Sequence, residues 1–216
     1  MSFTRLCPDP ARLNTGDLVW IRADDQMVFF SDKNPRASGW LTEQAAFSKL
    51  SAEHEAQVQA FRRSIWVGHL ALIEVVDGLP WVIDATTSRS TPASPRQDGV
   101  ARQSYADFLA DASHLQSHVW QGRLKDITPA QAMQLVHKAR SFLGAPYRFT
   151  PWRFADTSDF YCSKFIWHVV HEALGIKLLG ASDRIQDAWF TPWDVMQSAQ
   201  VKMLYEPPDL SYIEHA

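Results

Sequence analysis

The chain of 216 residues holds only two cysteines, Cys7 and Cys162, which gives no sign of a disulfide framework. No apolar run approaches the ~20 residues that a membrane-spanning helix needs. Charge of one sign is missing too. Lys and Arg number 21 against 24 Asp and Glu, a formal net charge of −3, and the two signs are interspersed. That leaves no electrostatic footprint for nucleic acid or an anionic membrane surface. Internal repeats and low-complexity tracts are absent. The opening MSFTRLCPDPARL lacks the apolar core of a signal peptide. The expectation is a product cytoplasmic as made, with any work elsewhere needing another export route. What remains is 46% hydrophobic, enough for one domain, 1–216, with a substantial core.

The pattern along that domain is α+β. Leu18-Val19-Trp20-Ile21 reads as a short buried strand entered through Asn14, Thr15 and Gly16. A loop-like region is expected through Ser38. From Trp40 to Arg63 helical spacing follows, with Phe47, Leu50, His54, Val58 and Phe61 recurring, so 23–63 is expected to be a helical insertion or lid. Two β-rich runs flank Asp77-Gly78, a favoured hairpin pair, with Pro80 suggesting a loop longer than minimal. A helix is expected from Tyr105 to Ala112, a strand from His118 to Lys125 and a closing strand over Val201–Tyr205. Thr128-Pro129-x-Gln131 is a capping-box helix start. Its buried face is expected to comprise Ala132, Leu135, Val136, Ala139, Phe142 and Leu143. Thr191-Pro192 opens one more short helix.

The most informative stretch runs from Leu143 to Gly175. Gly144 and Pro146 end one helix. The cluster Asp156, Thr157, Ser158 and Asp159 offers caps for the next. Phe165, Ile166, Val169 and Ala173 then share one helix face, which puts Cys162 in the first turn, turned to the core. Unpaired N–H groups at a helix start stabilise a thiolate and can hold a carbonyl oxygen that becomes negative. A buried cysteine that only packs fits the same position.

His69 is the only strongly polar side chain between Val67 and Ile73, and Asp84 is the lone charge on the return strand. With a turn at Asp77-Gly78, His69 falls across from Thr86. Asp84 then lies on the same face, one step along. A carboxylate there would fix the imidazole tautomer and support its protonated form. His168 and His171, with Glu172, lie on one helix side. Their order is not that of a zinc protease, and they read as a solvated or partly buried helix face; no metal or cofactor is expected. Nine tryptophans, Trp152, Trp189 and Trp193 among them, either fill core volume or line a groove.

LGAPYRF followed by DFYCSKF resembles the segment around the catalytic cysteine of the NlpC-like cell-wall cysteine peptidases. GHLALIEVVDGLPWVIDA resembles their histidine strand, turn and second polar strand, but placed before the cysteine, and LNTGDLVW resembles their strand entry. That order is similar to the circularly permuted, papain-fold branch of the superfamily, over about 13–205. The resemblance implies an antiparallel sheet packed on the helix that bears the cysteine. It also implies Cys162 as nucleophile, His69 as base, Asp84 as the orienting residue and Tyr147 at the oxyanion or substrate. Lys164 and the aspartate at 84 depart from the usual pattern. The function implied is a cysteine peptidase or amidase acting on peptidoglycan peptides; lacking a signal peptide, such an enzyme would need delivery, for instance as an effector of a specialised secretion system, with a carrier or an immunity protein as candidate partners. Thiol acyltransfer or lipid-amide hydrolysis, and an inactive binding module, are the alternatives.

Overall fold

The computed structural model describes residues 7–21, 26–31, 34–42, 67–86, 98–110, 119–150, 154–178 and 190–207. Six strands form one antiparallel sheet: β1 (Asp17–Ile21), β4 (His69–Val76), β5 (Leu79–Thr86), β6 (Gly99–Ser104), β7 (Val119–Leu124) and β8 (Val201–Tyr205). Their order is β6-β5-β4-β1-β7-β8. Strands β2 (Gln26–Ser31) and β3 (Asn34–Thr42) pair separately as a two-stranded sheet. Four α-helices lie among the described residues: α1 (Tyr105–Ala110), α2 (Pro129–Ser141), α3 (Cys162–Leu174) and α4 (Pro192–Met196).

Strand alternation divides the core in two. Leu18, Trp20, Leu70, Leu72, Ile83 and Ala85 point to one face. There they meet Leu135, Val136 and Ala139 of α2 and Phe165, Ile166, Val169 and Val170 of α3. Val19, Ile21, Ala71, Ile73 and Val82 point to the other, under Tyr105 and Phe108 of α1. Both faces being covered explains why β1 and most of β4 read as unbroken apolar runs rather than alternating ones. Each large side chain buried this way contributes about 1.5–3 kcal/mol. The Trp20 indole N–H also donates to the Pro192 carbonyl at 2.9 Å, tying α4 to the sheet. Asp17, fully buried, accepts from Gln121 and the Arg123 guanidinium, which bolts the start of β1 to β7.

Several expectations change. The β4–β5 turn is the minimal two-residue one, with Asp77 at φ 52° and Gly78 at φ 76°. Pro80 is tolerated in the strand because Val75↔Pro80, the second pair from the turn, is a non-hydrogen-bonded pair. The Val75 N–H turns away to the Thr15 hydroxyl at 3.0 Å. The loop expected through Ser38 contains β2 and β3; Val28, Phe29 and Phe30 are strand formers. The remainder of the proposed helical insertion, 43–63, lies outside the described residues. Leu143 is 43% exposed rather than buried, because α2 ends at Ser141 and the chain turns off before its face repeats. The capping box at Thr128 and Gln131 forms as expected, with Gln131 accepting from the Thr128 N–H at 2.9 Å.

The turn after α2 docks on the edge strand. Val100 N–H donates to the Ala145 carbonyl at 2.8 Å and Gly144 N–H to the Val100 carbonyl at 2.9 Å. Gly99 permits this approach: it sits at φ +143°, and a Cβ there would lie 2.4 Å from the Ala145 oxygen. Gly99→Ala should therefore cost about 1–3 kcal/mol in unfolding free energy by urea denaturation. An unchanged midpoint would show that the edge contact does not hold the turn.

Candidate active site

His69 is the first residue of β4, Asp84 sits late in β5, and Cys162 is the first residue of α3. The β4–β5 ladder runs from Val76↔Leu79 to Leu72↔Ile83. Beyond it β4 stays paired with β1 through Ile21↔His69, and β5 with β6 through Thr86↔Gly99. The two strands thus part over their last three residues. His69 and Asp84 lie either side of that opening, and His69 Nε2 and Asp84 Oδ2 are 2.8 Å apart. By alternation both belong to the face under α1, and the His69 ring lies 6.1 Å from that of Phe108. Cys162 arrives on the helix that covers the opposite face, close enough to the same imidazole to help raise its pKa. With Nε2 given to Asp84, Nδ1 is the nitrogen left for the sulfur. Cys162, His69 and Asp84 are 7%, 8% and 1% exposed, so the three polar groups meet in a nearly dry site.

Dryness sets the electrostatics. Burial alone would drive the His69 proton off, since a charged ring loses its hydration. No single partner outweighs this, but together they do. The hydrogen bond to Asp84 is the largest of their contributions; with the interaction with Cys162 and the charges of both partners, it pushes the imidazole from 6.5 up to about 10. The ring is therefore protonated at neutral pH, held between a carboxylate and a sulfur. A thiol, an imidazole and a carboxylate in this order can deliver a sulfur nucleophile and then a proton to a leaving group.

Tyr147 is brought to the site by backbone pairing. It bridges Phe160, two residues before the cysteine, with Arg148 N–H donating to the Phe160 carbonyl and Phe160 N–H to the Pro146 carbonyl, each at 3.0 Å. Its phenol is pushed up by burial and then by the negative charges of Cys162 and Asp98, which keeps it a neutral O–H donor. Tyr161, 1% exposed, is pushed up likewise by burial and by Cys162. It is the N-cap of α3 and makes no side-chain capping bond. The polar cluster before the helix does not cap it either. Asp156 accepts from Ser158 N–H at 2.8 Å, and Asp159 turns to Lys164 and Thr150. The caps expected from the sequence are displaced because an extended Phe160 and Tyr161 intervene. The first turn of α3 therefore starts without a side-chain cap.

Of the solvated and partly buried alternatives, the structure takes burial for His168. It is 5% exposed, with Nε2 and the Phe154 carbonyl 2.7 Å apart and Nδ1 at 3.1 Å from Glu172. The Nε2 contact ties α3 to Phe154, and the Nδ1 contact runs along α3. Among the described residues no group of three or more His, Cys, Asp and Glu side chains is placed to hold a metal. Trp193 is partly buried against the core, while Trp152 and Trp189 lie outside the described residues. Two neighbours of the site had no sequence signal, the Phe108 ring on His69 and Asp98 near Tyr147. Lys164 had one, as a charge where the helix face is apolar.

The raised His69 value has a fixed sign for stability. A ring that holds its proton more tightly folded than unfolded stabilises the fold fully below pH 6.5, and that contribution is lost as pH rises through about 10. His69→Gln should be less stable than the parent at pH 6, with the gap closing towards pH 10. Titration of the ring by NMR should find it protonated through neutrality, and Asp84→Asn should lower its midpoint. An imidazole that titrates near 6.5 in the intact protein would break this account.

The comparisons bear on the whole constellation. The family model described as "Permuted papain-like amidase enzyme, YaeF/YiiX, C92 family" matches residues 12–205. Among solved structures, the crystal structure of metalloprotein YiiX from Escherichia coli O157:H7 superposes with a TM-score of 0.55 at 16% identity. It covers 89% of this chain and 97% of that one, a likeness of fold. No curated protein matches the sequence. With histidine strand before cysteine helix and the match spanning both, the chain belongs to the permuted papain-like amidase family and is a cysteine-type amide hydrolase.

Proposed function

We propose that Cys162 is the nucleophile of this hydrolase, His69 its acid and base, and Asp84 the residue that orients the ring. The observation that carries this is the single buried imidazole, 2.8 Å from Asp84 Oδ2 and near enough to Cys162 for the sulfur to raise its pKa. The Cys162 sulfur attacks an amide carbon, forming a C–S bond as the carbonyl oxygen becomes negative. The Cys162 N–H and the Tyr147 hydroxyl hold that oxygen. The C–N bond then breaks, the amine leaves with the proton from His69, and a thioester remains. Water attacks it, giving its proton back to His69, and the acid departs as the thiol is restored.

For the substrate we propose the peptide part of peptidoglycan, with the whole of 1–216 acting as one catalytic unit. The support is the likeness of the segments around His69 and Cys162 to the NlpC-like cell-wall peptidases. Such a substrate carries with it delivery to a cell envelope and, in an antibacterial setting, an immunity partner; both belong to the proposal. Purified peptidoglycan fragments incubated with the protein and analysed by mass should show one amide opened by addition of water. Cys162→Ala should abolish this. Intact fragments, with acyl groups moved from added phospholipid instead, would turn the assignment to thiol acyltransfer.

Asp84→Asn separates orientation from packing. It should leave the fold intact and lower turnover per folded molecule by roughly 10²-fold or more, because an amide cannot stabilise the imidazolium by charge. Replacing Cys162 or His69 should cost more, and the losses should not add, since residues acting as one unit fail together. Full turnover of Asp84→Asn at unchanged stability would remove Asp84 from the site.

A further inference from the structure

Lys164 is fully buried, two residues after the cysteine, and its ammonium donates to Asp159 Oδ1 at 3.1 Å. The same oxygen accepts from the Thr150 hydroxyl at 2.7 Å. Asp159 is itself 2% exposed. A charged pair in a dry interior is no gain in stability over a well-packed apolar pair of equal volume, because each ion has given up its hydration. Its position invites another account. Thr150 lies three residues beyond Tyr147, Lys164 lies in the first turn of α3, and Asp159 adjoins Phe160, the residue that bridges Tyr147. One carboxylate oxygen thus joins the segment that carries the tyrosine to the helix that carries the thiol.

We propose that Asp159, bonded to Lys164 and Thr150, is a staple that sets the separation of the Tyr147 hydroxyl from the Cys162 sulfur. The residues of the staple are positioning residues and touch no substrate. The Pro146, Arg148 and Phe160 backbone bonds align the two chains but leave the segment free to slide away from α3. Sliding would break the Thr150 bond to Asp159, and Asp159 cannot follow, because parting it from Lys164 would leave both charges dry and alone. A shift of about 1 Å in such a contact is enough to cost about 10²-fold in rate. The inference rests on Tyr147 acting at the sulfur, as proposed above.

The test needs no natural substrate. In a Cys7→Ser background, the pH dependence of Cys162 alkylation by iodoacetamide reports the polar groups around the sulfur. Tyr147→Phe should move the midpoint to higher pH by about one pH unit. The double variant Asp159→Asn with Lys164→Met, which removes both charges together, should move it by a similar amount. Adding Tyr147→Phe to that double should move it no further. Thr150→Val, which removes only the arm on the tyrosine side, should move it part of the way and serves where the double variant fails to fold. A double variant with lowered thermal midpoint and an unmoved profile would reduce the network to packing. Additive displacements would show that it acts independently of Tyr147. Either result overturns the staple. A Tyr147→Phe profile identical to that of the background would instead remove the tyrosine from the site, and the staple's role with it.

Discussion

A protonated imidazole in an interior with almost no water is the constraint on which the rest of this structure depends. His69 cannot keep a charge there unless oxygen and sulfur replace its hydration, so Asp84 and Cys162 must both reach it. They come from different layers. Asp84 is carried by the neighbouring strand, and Cys162 by the helix packed on the other face of the sheet. The parting of β4 from β5 lets the two meet on one ring. A ladder paired to its last residue would have closed the sheet between them.

The permuted order of the chain follows the same requirement. What the chemistry needs is a helix start facing the end of a histidine strand, and that can be met with either element first in the sequence. Here β1 and β4 lie at the middle of the sheet, with β7 and β8 added on one side and β5 and β6 on the other. The cysteine helix is laid over them afterwards. Its first turn is uncapped by side chains, which costs the helix some stability at its start; in the proposed mechanism those N–H groups serve the reaction. The buried Lys164 pair holds the same turn to the loop before it.

Much of this was legible in the residues. Thr128-Pro129-x-Gln131 and Thr191-Pro192 mark helix starts because their side chains satisfy N–H groups within three residues. His69 and Asp84 could be placed on one face because strand alternation is a local period and Asp77-Gly78 fixes the register. Local signals misled where a distant partner intervened. Pro80 looked like loop until its non-hydrogen-bonded position was known. For His168 the sequence left solvated and partly buried open, and the Phe154 carbonyl against it decides for burial.

The sequence by itself determined the helix starts at Thr128 and Thr191 and the register of His69 with Asp84, and it nominated Cys162, His69, Asp84 and Tyr147, since each rests on spacing within a few residues or on likeness to a known motif. Only the tertiary structure decided that β4 and β5 part at their ends, that the imidazole lies between carboxylate and sulfur, and that Asp159 turns from the helix start to Lys164 and Thr150. The physical reason is burial. Whether a polar group caps, pairs or titrates depends on which groups from remote parts of the chain exclude water around it, and no local pattern of residues encodes that.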